Sequence, residues 1–159
     1  LPLQFVVLGD GEKKYEDFLR WAVNTYPDKI GAYVGFNNEL AHEITAGSDM
    51  FLMPSRYEPC GLNQMYSLNY GTVPIVRRTG GLADTVHDYH EFNGEGNGFS
   101  FRDFTPFALY TSVQRALALF QQKEIWREMM RRGMHADFSW RNAASKYLEV
   151  YRRAKSRRG

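Results

Sequence analysis

Residues 49–76 read DMFLMPSRYEPCGLNQMYSLNYGTVPIV, and the order of apolar runs and breakers within them decides the fold class. Asp49 to Met53 is a short apolar run that stops at Pro54, as a buried strand does. Pro54 to Gly61 is a loop, Leu62 to Asn69 a helix, and Val73 to Val76 a second buried strand. Strand, loop, helix and strand in succession make one β-α-β crossover, the unit of a parallel sheet covered by helices.

The same alternation extends in both directions. Upstream, Leu3 to Leu8 reads as a strand ending at Gly9-Asp10-Gly11, and Tyr15, Phe18, Leu19, Ala22 and Val23 recur at helical spacing until Pro27. Ile30 to Phe36 is the next strand, and Asn38 is the expected N-cap of a short helix over Glu39 to Ala46. Downstream of Gly80-Gly81 the pattern loosens, and His90 to Gly98, with three glycines and two asparagines, reads as a surface loop. Thr105 then precedes Pro106 at a first helical position, with Phe107, Leu109, Tyr110, Val113, Ala116, Leu117 and Phe120 on one face. A second helix is expected over Lys123 to His135. A third is expected after Ser139, with Ala144, Tyr147, Leu148 and Tyr151 as its apolar stripe. The expectation is an α/β fold, a Rossmann-like parallel sheet flanked by helices, forming a single domain over 1–159 with a helical region at about 105–157.

Composition agrees with one globular unit: 159 residues, 43% hydrophobic and 24% charged, are enough to bury a core and too few for two catalytic domains. Cys60 is the one cysteine, so an intramolecular disulfide is excluded and a reducing compartment is expected. No apolar run approaches the roughly 18–20 residues that span a bilayer. The start, Leu-Pro-Leu-Gln, has neither a basic n-region nor an initiator methionine, so the chain is expected to begin inside a longer protein. The net charge of +2 is uneven: from Arg127 onward ten basic residues face three acidic ones, a local +7 that leaves −5 for the rest. Because these charges alternate with Trp140, Tyr147, Leu148, Val150 and Tyr151, a solvated helix face is expected there rather than a nucleic-acid or lipid patch.

In parallel α/β sheets, ligands bind at the carboxyl ends of the strands, and that rule selects the loops worth reading. Gly9-Asp10-Gly11 is a partial dinucleotide fingerprint with Lys14 where the third glycine belongs, and a tight turn explains it as well. Glu58 stands between Tyr57 and Pro59 just before a helix start, a place a core position would not give to a carboxylate. The N–H groups of Gly61, Leu62 and Asn63 would be first-turn donors able to hold a phosphate or a sugar hydroxyl, with Gly61 allowing close approach. The competing reading pairs Glu58 with Arg56 or another arginine. Arg77, Arg78, Thr79 and Gly80-Gly81 form a second candidate, a backbone nest for an anion or simply a glycine turn with exposed arginines, and Asp84 is expected to partner that turn. His42, His87, His90 and His135 show no metal-ligand spacing with Cys60 or the carboxylates, and there is no Gly-x-Ser-x-Gly elbow. Cys60 lacks a neighbouring histidine base and reads as a small residue lining the site.

Residues 54–64, PSRYEPCGLNQ, and 70–86, YGTVPIVRRTGGLADTV, resemble the C-terminal half of bacterial glycogen synthases and plant starch synthases. The resemblance runs from the Leu8-Gly9 turn to Asp137-Phe138-Ser139-Trp140. It implies a retaining glycosyltransferase of the GT-B architecture, of which this chain would be most of the donor-nucleotide domain. By that resemblance Glu58 is the essential carboxylate that stabilises the oxocarbenium-like transition state. Ser55, Cys60, Gly61, Leu62 and Asn63 would line the glucose and distal phosphate, Phe36 would lie against the adenine, and Arg78, Thr79, Gly80 and Gly81 would line the cleft. The implied substrates are ADP-glucose, in preference to UDP-glucose, and an α-glucan, with no metal, no further cofactor, no nucleic acid and no membrane involved. The implied location is cytoplasmic, or the plastid for a plant protein. Tyr66 stands eight positions after Glu58, where many GT-B transferases place a second glutamate, which favours the glycogen-synthase group. The first β-α unit of the donor domain, with its arginine and lysine clamp, and the whole acceptor-side domain are missing from this sequence. A related retaining transferase of other specificity and a non-catalytic nucleotide- or glucan-binding module remain alternatives.

Overall fold

The computed structural model describes residues 1–156. Strands and helices alternate through its first two-thirds: β1 (Phe5–Gly9), α1 (Lys13–Thr25), β2 (Ile30–Val34), α2 (Asn38–Gly47), β3 (Met50–Met53), α3 (Asn63–Tyr70), β4 (Val73–Arg77), α4 (Gly80–Thr85) and β5 (Phe99–Phe101). Three helices follow, α5 (Pro106–Phe120), α6 (Lys123–His135) and α7 (Trp140–Ser156). Every strand pair is parallel, as the alternation requires. The expected end of the helical region at Arg157 lies outside the described residues.

The fold class is the expected one, but the strands form two sheets, β1-β2 and β3-β4-β5. A groove of ≈ 880 Å³ reaches from β1 to β3, its walls including Val7, Met50, Leu52, Ile75, Val113 and Phe120. Among the described residues no strand bridges the two sheets, so the groove stays open between β1 and β3.

Burial is concentrated in the three-stranded half. Val73 and Ile75 on one face of β4 pack with Phe99, Val113, Ala116, Leu119, Trp126 and Met129 under α5 and α6, while Val76 on the opposite face meets Leu82 and Val86. This division follows from the side-chain period of two along a strand. Trp126 fills the space between the Phe120 edge, 5.1 Å away between ring centroids, and the stacked ring of Phe99 at 6.3 Å.

Several expectations shift. Asn37, not Asn38, caps α2: its extended backbone lets Oδ1 accept from the Leu40 N–H at 3.0 Å, and Asn38 is already helical. Thr105 and Ser139 cap as expected, accepting from the Ala108 and Asn142 N–H groups. The segment read as a surface loop ends buried at Asn97 and Gly98, and β5 follows it. Three residues are too few to show a strand period. The packing expected of the terminal helix is also absent: Tyr147, Leu148 and Tyr151 are all exposed, so the α7 stripe faces no partner within the described residues.

Asp88 explains why the segment before β5 is ordered. Buried almost completely, it receives Arg115 through two bonds, Nη1 to Oδ1 at 3.1 Å and Nη2 to Oδ2 at 2.9 Å, and accepts from the Ser100 and His90 N–H groups. Burial opposes its charge, but the Arg115 hydrogen bonds, the Ser100 N–H and the guanidinium charge outweigh burial and hold the carboxyl below its ordinary range. A lowered folded-state pKa stabilises above the unfolded value, and that contribution is lost as pH falls through the folded one. Thermal melting should therefore show stability declining below about pH 4, with Asp88→Ala losing about 3 kcal/mol at neutral pH and flattening that acid dependence. An unchanged melting profile would show that the pair contributes nothing.

Candidate functional site

The candidate residues converge at the carboxyl ends of the strands. Phe36 follows β2, the 54–62 loop follows β3, and Arg78 to Gly81 follow β4. Phe36 is 84% exposed and lines the same groove as Pro54, Asn63 and Tyr66. An exposed aromatic ring beside a groove presents a flat face to a planar ligand.

Glu58 is half-buried, and none of the ion pairs or side-chain hydrogen bonds among the described residues involves its carboxylate. The competing pairing with Arg56 is not formed. Its main chain, by contrast, is held: the Gly81 N–H donates to Glu58 O at 3.1 Å and to Pro59 O at 3.3 Å. Just beyond, the N–H groups of Gly61, Leu62 and Asn63 donate to no acceptor among the described residues and stand at the start of α3. An unpaired carboxylate thus stands on the loop that leads into a set of free donors at the positive end of a helix dipole.

The second loop works differently from a free anion nest. A side chain on Gly80 would overlap the Glu58 carbonyl, and one on Gly81 would overlap the Cys60 carbonyl, because the two loops touch through their backbones. Gly80 also has φ +46°, in the left-handed region. Since the Gly81 N–H is engaged by the first loop, these glycines serve close approach of one loop to the other. Thr79 is extended at the entry to α4 and its hydroxyl caps nothing. Arg78 ion-pairs with Glu91 at 2.6 Å, and Arg102 stands 3.8 Å from the same carboxylate.

At this junction Arg77 and Asp84 play other parts than the sequence suggests, and Gln64 and Thr85 carry contacts it did not signal. Arg77 Nη1 donates to Arg56 O at 2.6 Å and to Ser55 O at 3.4 Å, so it braces the first loop instead of waiting for an anion. The Asp84 carboxylate, expected to partner the glycine turn, makes no hydrogen bond or ion pair among the described residues; Thr85 engages the turn instead, its hydroxyl donating to Gly81 O at 2.7 Å. Gln64 lies fully buried beneath Gly61. At the Gly9-Asp10-Gly11 turn the Gly11 N–H donates to Glu16 Oε1 at 3.3 Å, while Gly9 and Asp10 line the groove. Among the described residues no group of three or more His, Cys, Asp or Glu is placed to hold a metal ion, and no helix is long and apolar enough to cross a membrane.

The family profile described as Glycosyl transferases group 1 matches residues 2–132. The chain belongs to this family. This group 1 glycosyl transferase chain is 49% identical over 150 residues to a glycogen synthase of Bacillus cereus (strain B4264), covering 94% of this chain and 32% of that one. It is 54% identical over 151 residues to a glycogen synthase of Koribacter versatilis (strain Ellin345), covering 95% and 31%. Among solved structures it resembles the catalytic domain of starch synthase IV from Arabidopsis thaliana bound to ADP and acarbose. That match has a TM-score of 0.74 and 27% identity, covering 96% of this chain and 39% of that one. The resemblance to glycogen and starch synthases read from the two motifs therefore holds over nearly the whole chain. The chain spans about a third of the length of the curated relatives it matches.

Proposed function

We propose that this chain is the donor-binding part of an α-1,4-glucan synthase, which moves glucose from ADP-glucose to the non-reducing end of a glucan with retention of anomeric configuration. The observation that carries the reading is the unpaired Glu58 carboxylate on the same loop as the free N–H groups of Gly61, Leu62 and Asn63. Support for the substrate class comes from the identity of about half to two glycogen synthases and from the starch synthase bound to ADP and acarbose.

In this reading the distal phosphate and glucose hydroxyls sit on the α3 N-terminus, where N–H donors and the helix dipole stabilise negative charge. The bond from the anomeric carbon to the diphosphate breaks, and the glucan hydroxyl oxygen bonds to that carbon on the same face. The hydroxyl proton passes to the departing diphosphate. Glu58 stabilises the positive charge that develops on the sugar between these events. Phe36 stacks on the adenine, and Ser55, Cys60 and Leu62 shape the wall. Gly80 and Gly81 hold the first loop in place, and Arg78 and Thr79 border the cleft. The reaction takes ADP-glucose as substrate, with UDP-glucose a poorer donor, and needs no resident metal or cofactor. It fits a cytoplasmic enzyme, or a plastid one for a plant protein.

Transfer of radiolabelled glucose from ADP-glucose to glycogen tests the proposal. The full-length protein should incorporate label, and the isolated 159-residue chain should not, because the acceptor domain and diphosphate clamp implied by the resemblance lie outside it. Absence of transfer by the full-length protein would leave a binding module, and transfer only from another donor would indicate a related transferase.

A further inference from the structure

We infer that Gln64 is a positioning residue that locks the first site loop to the second and so holds Glu58 in working geometry. The inference rests on the donor-site reading above and deepens it.

Gln64 is fully buried, at 0% exposure, in the first turn of α3. Its Nε2 lies 3.2 Å from Cys60 O, 3.0 Å from Gly61 O and 3.2 Å from Thr85 Oγ1. Two of these acceptors are carbonyls, which cannot donate, so the amide must present its NH₂ to them. The Thr85 hydroxyl gives its own proton to Gly81 O and is free to accept from Gln64. Gly81 in turn donates its N–H to Glu58 O and Pro59 O. The bonds thus close a circuit: Gln64 amide, Thr85 hydroxyl, Gly81 peptide group, the chain from Glu58 to Gly61, and Gln64 again.

The packing points the same way. Gly61 has φ +73°, and a side chain on it would overlap Gln64 Oε1 and come within 2.9 Å of Nε2, so the amide lies against the exposed backbone of the loop. Gln64 Oε1 is buried with no hydrogen-bond partner among the described residues. An unpaired buried acceptor is unfavourable, and methionine would fill similar space without it. A residue selected only to fill the core would not be an amide here. What the amide adds is two donated protons where two loops of the site meet. Nothing in the geometry brings it to a reacting atom.

The test uses the full-length enzyme with Gln64→Met, Gln64→Glu and Thr85→Val. Each variant is assayed for kcat, for KM of ADP-glucose and of glycogen, and for iodoacetamide alkylation of Cys60, whose exposed thiol sits on the braced loop. Gln64→Met should lower kcat/KM for the donor about ten- to a hundredfold, the scale of a loop displaced by about 1 Å, while the glycogen KM stays within about twofold. Cys60 alkylation should become at least about threefold faster as the loop opens. Gln64→Glu sets a carboxylate against two carbonyls; it should regain donor efficiency relative to the parent as pH falls and the carboxyl takes the proton that lets it donate. Thr85→Val, close in shape, should shift both readouts in the same direction by less, and decides the matter if the Gln64 variants do not fold. Donor efficiency within about twofold of the parent, or lost efficiency with Cys60 alkylation unchanged, overturns the inference. If the parent enzyme transfers no glucose, the functional reading fails instead, and the alkylation rates still judge the brace.

Discussion

In the full-length protein, Glu58→Gln lowers turnover by at least about a hundredfold while the dissociation constant for ADP-glucose stays within about threefold. Glutamine keeps the length and the hydrogen-bonding capacity of the side chain and removes only the charge. That charge matters when the sugar becomes cationic, so its loss weakens binding of the transition state more than binding of the ground state. The structure makes this the clean outcome, because no arginine or lysine is partnered by Glu58 among the described residues and none is left unpaired by the change. Half-burial of the side chain and the Gly81 hold on its main chain leave the loop in place. Steady-state assays with isothermal titration and thermal melting decide it. Near-normal turnover, or a variant that melts at room temperature, would sink the catalytic assignment.

Gly80→Val and Gly81→Val should each raise the donor dissociation constant by at least about tenfold, and Gly81→Val should also lower the melting midpoint. The reason is steric. Cβ atoms at these positions would occupy the Glu58 and Cys60 carbonyl positions, so the first loop must be pushed away from the second. Gly80 adds a left-handed φ that a β-branched residue resists. Gly61→Val belongs with them, because its side chain would meet the Gln64 amide. Arg78→Ala should be milder than any of these, since its guanidinium is already neutralised by Glu91 and no backbone has to move. Titration of the folded variants with ADP-glucose separates the two mechanisms. If the glycine variants bind donor like the parent, the two loops do not need to touch for the site to work.

How far the sequence carried the reading varies along the chain, and the difference tracks the range of the interaction involved. The first four strands and the helices after Thr105 were legible because apolar periodicity, proline, glycine and capping residues act over one or two turns. The Asn37 cap was missed by a single position since two asparagines stand side by side and either can supply the oxygen. β5 was missed because Phe99–Phe101 is too short for a period and is held through Ser100 by Asp88 and Arg115, partners 12 and 15 positions away.

Glu58 and the Gly61 turn could be read from residues 54–64 alone, since a carboxylate and a glycine at a helix entrance are local signals with local causes. The sequence by itself also determined the parallel α/β class and the family, through the two motifs on successive crossovers. Tertiary structure alone decided that Gly80-Gly81 is a contact between loops, that Arg77 and Arg78 are spent on the protein, and that Gln64 and Thr85 join what the chain keeps 21 residues apart. It alone split the strands into two sheets around an open groove. A hydrogen bond or a close backbone approach between distant segments leaves no period and no breaker in the chain; it exists only once the core under β4 has brought the strand ends together.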